Sequence, residues 1–122
     1  MIGSTRQMSV WAYSEPCDMR KQYDSLAAIV TQNMNRNVLD GDVFVFVGRD
    51  RRRAKVLYWD GTGLCVFAKR LEKGLFFAPW KHPADKLKMT MSELTLLLEG
   101  SEFVGRLQLS PAPFEFDNPS KS

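Results

Sequence analysis

At 122 residues, with 44% hydrophobic and 25% charged side chains, the chain has the size and composition of one ordinary globular domain. Two cysteines (Cys17 and Cys65) and one histidine (His82) exclude a disulfide scaffold and an all-protein Cys/His zinc site. No run approaches the ~20 apolar residues a membrane helix needs, and Met1–Arg6 lacks the apolar core of a signal peptide, so a cytoplasmic protein is expected.

Met8 to Tyr13 reads as a first strand, stopped by Ser14-Glu15-Pro16. Asp18 is placed to cap a helix, because its carboxylate can accept from the free amides of the following turn. Met19, Tyr23, Leu26, Ala27, Val30 and Met34 then recur at helical spacing and predict one apolar stripe, with the helix running over Lys21–Met34. Asn33, Asn35 and Asn37 mark its end, and Asp40-Gly41-Asp42 turns the chain.

Val43 to Phe76 carries three strand-like runs separated by turn signals, which predicts an antiparallel meander. Val43–Val47 is apolar on both faces and suits a central strand. Alternation puts Lys55, Leu57 and Trp59 on one face of the next run and Val56 and Tyr58 on the other. Asp60-Gly61-Thr62-Gly63 and Glu72-Lys73-Gly74 are turns. Leu75-Phe76-Phe77 is expected to open a fourth strand that Pro79 ends, and Leu87-Lys88-Met89 to form a short edge strand. Thr90 to Glu93 has capping-box spacing, followed by a second helix with Met91, Leu94, Leu97 and Leu98 on its apolar face and Gly100 as its stop. Phe103 to Leu109 reads as a further strand or arm. From Ser110 the Pro/Ser/Asn-rich composition predicts a disordered tail.

The first loop of the meander concentrates charge. Residues 49–55 hold Arg49, Arg51, Arg52, Arg53 and Lys55 against one acid, Asp50, a local +4. The whole chain is only +3, so everything else sums to −1. Guanidinium forks match phosphate oxygens, which makes a polyanion the natural partner. An acidic protein surface and a merely solvated hairpin tip stay open as alternatives. The acids Asp18, Asp24, Asp42, Asp60 and Glu72 are scattered, and most sit where a cap or turn accounts for them, so a metal nuclease is not indicated. His82 lies in a Lys-His-Pro link with no nucleophile motif around it. Gly61-Thr62-Gly63 precedes no helix and is not a phosphate loop. Tyr58, Trp59 and Phe67 could stack on bases, but their alternation favours packing.

These residues also carry a resemblance. Asp18-Met19-Arg20-Lys21 with Asp24 and Leu26, Val45-Phe46 before the Arg-rich loop, Lys55-Val56-Leu57-Tyr58-Trp59-Asp60-Gly61 with Gly63, Lys69-Arg70-Leu71-Glu72-Lys73-Gly74 with Phe76 and Pro79, and Thr90 with Leu97-Leu98-Glu99-Gly100 form the pattern. Over about residues 8–100 the chain resembles the TnpB-type accessory protein encoded by the second reading frame of insertion sequences of the IS-sixty-six type. It departs from that pattern at Ala68 and Ala78. The resemblance implies a bacterial partner in DNA transposition and recombination, acting beside a separate, larger transposase that holds the catalytic acids.

The expectation is an α+β fold: an antiparallel meander sheet of four to six strands with two helices packed on it, one domain over residues 1–109 and a tail over 110–122. The expected function is a non-catalytic accessory factor, without metal or cofactor, that binds DNA or the transposase–DNA complex. Arg49, Arg51, Arg52, Arg53 and Lys55 would contact phosphates, Lys69 and Arg70 would extend the patch, and Arg20 and Lys21 form a second set. Arg20 has a competing structural reading, a pair with Asp24 along the helix. The alternative function is an adaptor that recruits the transposase without touching DNA. An exposed edge strand would allow a homodimer, although nothing in the sequence demands one.

Overall fold

A computed structural model describes residues 8–100, so the expectations for Phe103–Leu109 and for the tail lie outside the described residues. Besides three short 3-10 turns, five strands and two α-helices follow in chain order among these residues: β1 (Val10–Ala12), α1 (Tyr23–Asn33), β2 (Val43–Val47), β3 (Arg53–Trp59), β4 (Leu64–Arg70), β5 (Lys88–Met89) and α2 (Met91–Leu98). The strands form one sheet in the order β4-β3-β2-β1-β5. This is the expected α+β fold, with five strands and two helices.

Alternation along β2 builds both halves of the core. Val43, Val45 and Val47 face α2, where they meet Val56, Phe76, Phe77, Leu94 and Leu97. Phe44 and Phe46 face α1, where they pack with Leu26, Ile29, Val30 and Leu57. All five β2 residues are buried, as a strand apolar on both faces requires. Each half of the core thus depends on its own helix, and neither helix could fold on a flat sheet without that apolar stripe.

The strand pairing is antiparallel except at β1–β2, which is parallel with Val10 opposite Val43 and Ala12 opposite Val45. The helical connection between these two strands permits that arrangement, since a tight turn cannot join parallel neighbours. β5 is the expected short edge strand, pairing antiparallel with β1. α2 begins as its sequence predicts: Thr90 Oγ1 accepts from Glu93 N at 3.1 Å, and Glu93 Oε1 accepts from Thr90 N at 2.8 Å. No helix among the described residues is long and apolar enough to cross a membrane.

Two elements differ from expectation, and Met91, expected on the apolar face of α2, is exposed at the start of that helix. α1 starts at Tyr23, not beside Asp18, and Gln22 N donates to Ser25 Oγ at its entry (3.0 Å). Asp18 instead closes a local turn, accepting from Arg20 N at 2.9 Å, while Lys21 N donates to Asp18 O. Such side-chain-to-backbone bonding competes with helix formation. Tyr23 consequently stands 49% exposed rather than on the apolar stripe. The second difference is at Leu75–Phe77, which forms no strand. Phe76 and Phe77 are fully buried under the sheet, and Phe76 N reaches Arg51 O at 2.7 Å.

Candidate nucleic-acid interface

The β2–β3 connection is a tight, internally bonded loop. Gly48 N donates to Arg53 O, Arg51 N donates to Gly48 O, and Asp50 Oδ1 accepts from Arg52 N at 3.0 Å. The segment around Cys17 lies alongside, with Cys17 N donating to Val47 O at 2.9 Å. That approach brings Met19 over the loop: a Cβ on Gly48 would stand 2.9 Å from Met19 Cγ, which explains glycine there.

Two adjoining concavities result, sharing Met19 and Arg53. One, of about 640 Å³, lies between Pro16–Arg20 and Arg49, Asp50 and Arg53. The other, of about 500 Å³, is lined by Arg53, Lys55, Ala68, Lys69, Arg70 and Glu72 beside Met19. Six of the nine cations singled out in the sequence (Arg20, Arg49, Arg53, Lys55, Lys69 and Arg70) therefore line one or both of these adjoining concavities, an arginine-lined cleft in two parts. Stretches far apart in sequence converge there because β3 and β4 pair Arg53 with Arg70.

The cations are not equivalent. Lys55 is only 8% exposed, and its Nζ donates to Lys21 O at 2.7 Å, tying β3 to the entry of α1. Lys69 Nζ donates to Leu98 O at 2.8 Å, satisfying a carbonyl at the C-terminal end of α2 where a cation also suits the helix dipole. Arg51 adopts a left-handed backbone (φ +60°), and its Nε donates to Phe76 O at 2.8 Å. These three hold the fold together. Arg53 pairs with Asp50 at 3.1 Å, Arg70 with Glu72 at 3.4 Å and Arg20 with Asp18 at 2.8 Å. Arg20 thus bonds backward to Asp18, not forward to Asp24, and it precedes α1 together with Lys21. Arg49 and Arg52 are exposed and, among the described residues, have no side-chain partner.

Two of these acids, Asp18 and Asp50, are held as carboxylates. The side-chain bond from Arg20, reinforced by its backbone amide, depresses the Asp18 carboxyl far below the usual range. The Arg52 amide, aided by the Arg53 charge, lowers Asp50. Burial pushes the Cys17 thiol up to about 11, which leaves it protonated and unreactive at neutral pH. Among the described residues no three His, Cys, Asp or Glu side chains gather to hold a metal. The pairing of Asp18, Asp50 and Glu72 with Arg20, Arg53 and Arg70 was not foreseen from the sequence, although the acids themselves were in view. Asp50 was legible three residues before Arg53, but Asp18 beside Arg20 was taken by its expected role as a cap.

Fold and surface together define a small α+β domain carrying an exposed, arginine-lined cleft. The chain belongs to the IS66 Orf2-like family: the family described as "IS66 Orf2 like protein" matches residues 8–106. It is similar to two proteins of Sinorhizobium fredii (strain NBRC 101917 / NGR234). "Uncharacterized protein y4hO" is 36% identical over 103 residues, covering 84% of this chain and 89% of the relative. "Uncharacterized protein y4jC" is 35% identical over 104 residues, covering 84% and 87%. No solved structure matches the chain. Family membership gives the protein an accessory role in transposition by an IS66-type element.

Proposed function

We propose that this chain is a non-catalytic accessory factor that binds DNA, or the transposase–DNA complex, by gripping phosphates in the arginine-lined cleft. The observation that carries the reading is the placement of Arg20, Arg49, Arg53 and Arg70 around two adjoining concavities, with Arg52, exposed on the same loop as Arg49, adding to their charge. Arg53, Arg70 and Arg20 are oriented by their acid partners, so their outer N–H groups remain available to phosphate oxygens. Lys21, half-buried beside them, adds charge without a fixed contact. Lys55, Lys69 and Arg51 act indirectly, by holding the walls in place.

The rival reading is an adaptor that recruits the transposase without contacting DNA. It draws on the same cleft, since guanidinium forks pair with carboxylates as well as with phosphates. Titration of a labelled duplex from the element ends at several salt concentrations separates the two. Four phosphate contacts give a log–log slope of about −3.6 on duplex DNA. Arg49→Glu with Arg52→Glu should abolish binding without unfolding the protein. Unchanged duplex affinity in that double variant would sink the DNA assignment, and co-purification with the transposase at high salt would then favour the adaptor.

A further inference from the structure

The sheet has two edges, and they are built differently. β5 is two residues long, carries Lys88 and leads directly into α2. A short, charged edge of this kind resists further pairing. β4 is seven residues long and, among the described residues, pairs only with β3. Its first five residues, Leu64-Cys65-Val66-Phe67-Ala68, contain no proline, charge or bulge. The lysine at its end is turned away, because Lys69 Nζ is bonded to Leu98 O.

The pairing pattern shows which backbone groups are free. Leu71 N donates to Arg52 O, and Asp60 N donates to Gly63 O. Antiparallel alternation between these points directs the N–H and C=O groups of Cys65, Phe67 and Lys69 toward β3. Those of Leu64, Val66, Ala68 and Arg70 point outward. Among the described residues none of these outward groups has a backbone partner. In the centre, Phe67 stands opposite Val56 and is 47% exposed, a large aromatic at an open edge.

We propose that β4 pairs with β4 of a second copy, antiparallel and centred on Phe67, to make one continuous ten-stranded sheet. Two features of the strand select a second copy. In this register Val66 lies opposite the partner's Ala68, and the two Phe67 rings meet across the two-fold axis as a non-hydrogen-bonded pair. Lys69 and Arg70 fall opposite the partner's Cys65 and the partner's Leu64, so the two Arg70 side chains stay about 20 Å apart. Parallel addition would stack them. A two-fold contact also satisfies both long edges at once, and because β5 is protected the assembly closes as a dimer and cannot extend into a fibre. A contact along a single seven-residue edge is small beside the roughly 1,200 Å² of a standard stable interface, so the dimer should be weak and should form only well above low micromolar concentrations.

The full-length chain should sediment as a monomer at low micromolar concentration and shift to a dimer by hundreds of micromolar. Ala68→Pro removes an outward N–H without touching the β3 ladder and should abolish the shift while leaving thermal stability near wild type. If that variant misfolds, Phe67→Glu places two like charges across the axis and should have the same effect. Phe67→Cys reads the register directly. Non-hydrogen-bonded pairs have Cα atoms about 4.5 Å apart, within disulfide reach, so mild oxidation should give a covalent dimer. Wild type should not cross-link, since Cys65 faces the partner's Lys69. A chain that stays monomeric at high concentration overturns the proposal, as does a dimer that Ala68→Pro and Phe67→Glu leave intact. A monomer whose Ala68 amide is protected from hydrogen exchange also overturns it, and assigns the edge to another segment of the same chain.

Discussion

Arg51 offers the sharpest separation of structural from binding arginines. Its backbone sits in the left-handed region (φ +60°), and its Nε holds the carbonyl of Phe76, a residue buried beneath the sheet. Arg51→Ala deletes a charge-assisted bond worth about 1.5–3 kcal/mol and keeps the left-handed strain, because alanine also carries a Cβ. The expected loss is about 2 kcal/mol. With an unfolding entropy of about 2.1 cal/mol/K per residue, that lowers Tm by about 8 °C. Arg51→Gly loses the same bond but relieves about 1 kcal/mol of strain, so it should lie between alanine and wild type. Arg49→Ala and Arg52→Ala remove exposed side chains without partners and should change stability by less than about 0.5 kcal/mol. Thermal and urea unfolding of the four variants, beside duplex titration, measures both properties. An Arg51→Ala protein as stable as wild type yet as defective in DNA binding as Arg49→Ala would refute this reasoning.

Two further outcomes follow from geometry. Gly48→Ala pushes a Cβ to 2.9 Å from Met19 Cγ and should cost about 1–2 kcal/mol, with much of the loss recovered in a Met19→Ala background; urea midpoints of the double-mutant cycle measure that coupling. Asp60 accepts from the amides of Thr62 and Gly63, and those bonds lower its pKa to about 2. Its folded pKa lies below the unfolded value of about 3.9, so its stabilisation is present above that pH and fades as pH falls toward 2. Asp60→Ala should be less stable than wild type at neutral pH, and the gap should close between about pH 4 and pH 2; a constant gap would deny the carboxylate its role in the turn.

Much of the fold was legible because it is set by local rules. The alternating Val43–Val47 run declares a central strand, Thr90 and Glu93 declare a helix start, and the Asp60 turn carries its own acceptor. The parallel β1–β2 pairing was not legible, since register between strands 33 residues apart depends on where α1 packs. The start of α1 was misread because Asp18 has two local uses, a helix cap and a tight turn, and the structure shows the second, with its carboxylate accepting from Arg20 N. For the cleft, the density of arginine was plain and its division of labour was not. Lys55, Lys69 and Arg51 find carbonyl partners 34, 29 and 25 residues away, which no local pattern announces.

The division of labour bears on how the proposed DNA contact would behave. Three of the cleft's arginines already face a carboxylate, and those exposed pairs are worth little to stability. Their effect falls on the ligand instead. Each acid offsets part of the field that a phosphate would meet, so one cleft should bind weakly and with strong salt dependence. Pairing through β4 would change that balance without adding a contact. The two-fold axis of an antiparallel pair stands perpendicular to the sheet, so both α1 faces, and with them both clefts, would look the same way. A duplex held by one cleft would then meet the second at a high effective concentration. On this argument Ala68→Pro should weaken DNA binding although alanine offers a phosphate no charge, and the deficit should vanish at protein concentrations too low for dimers, where a direct effect on the cleft that Ala68 lines would persist. A variant that binds duplex as well as wild type at dimer-forming concentrations would show that the two clefts work independently.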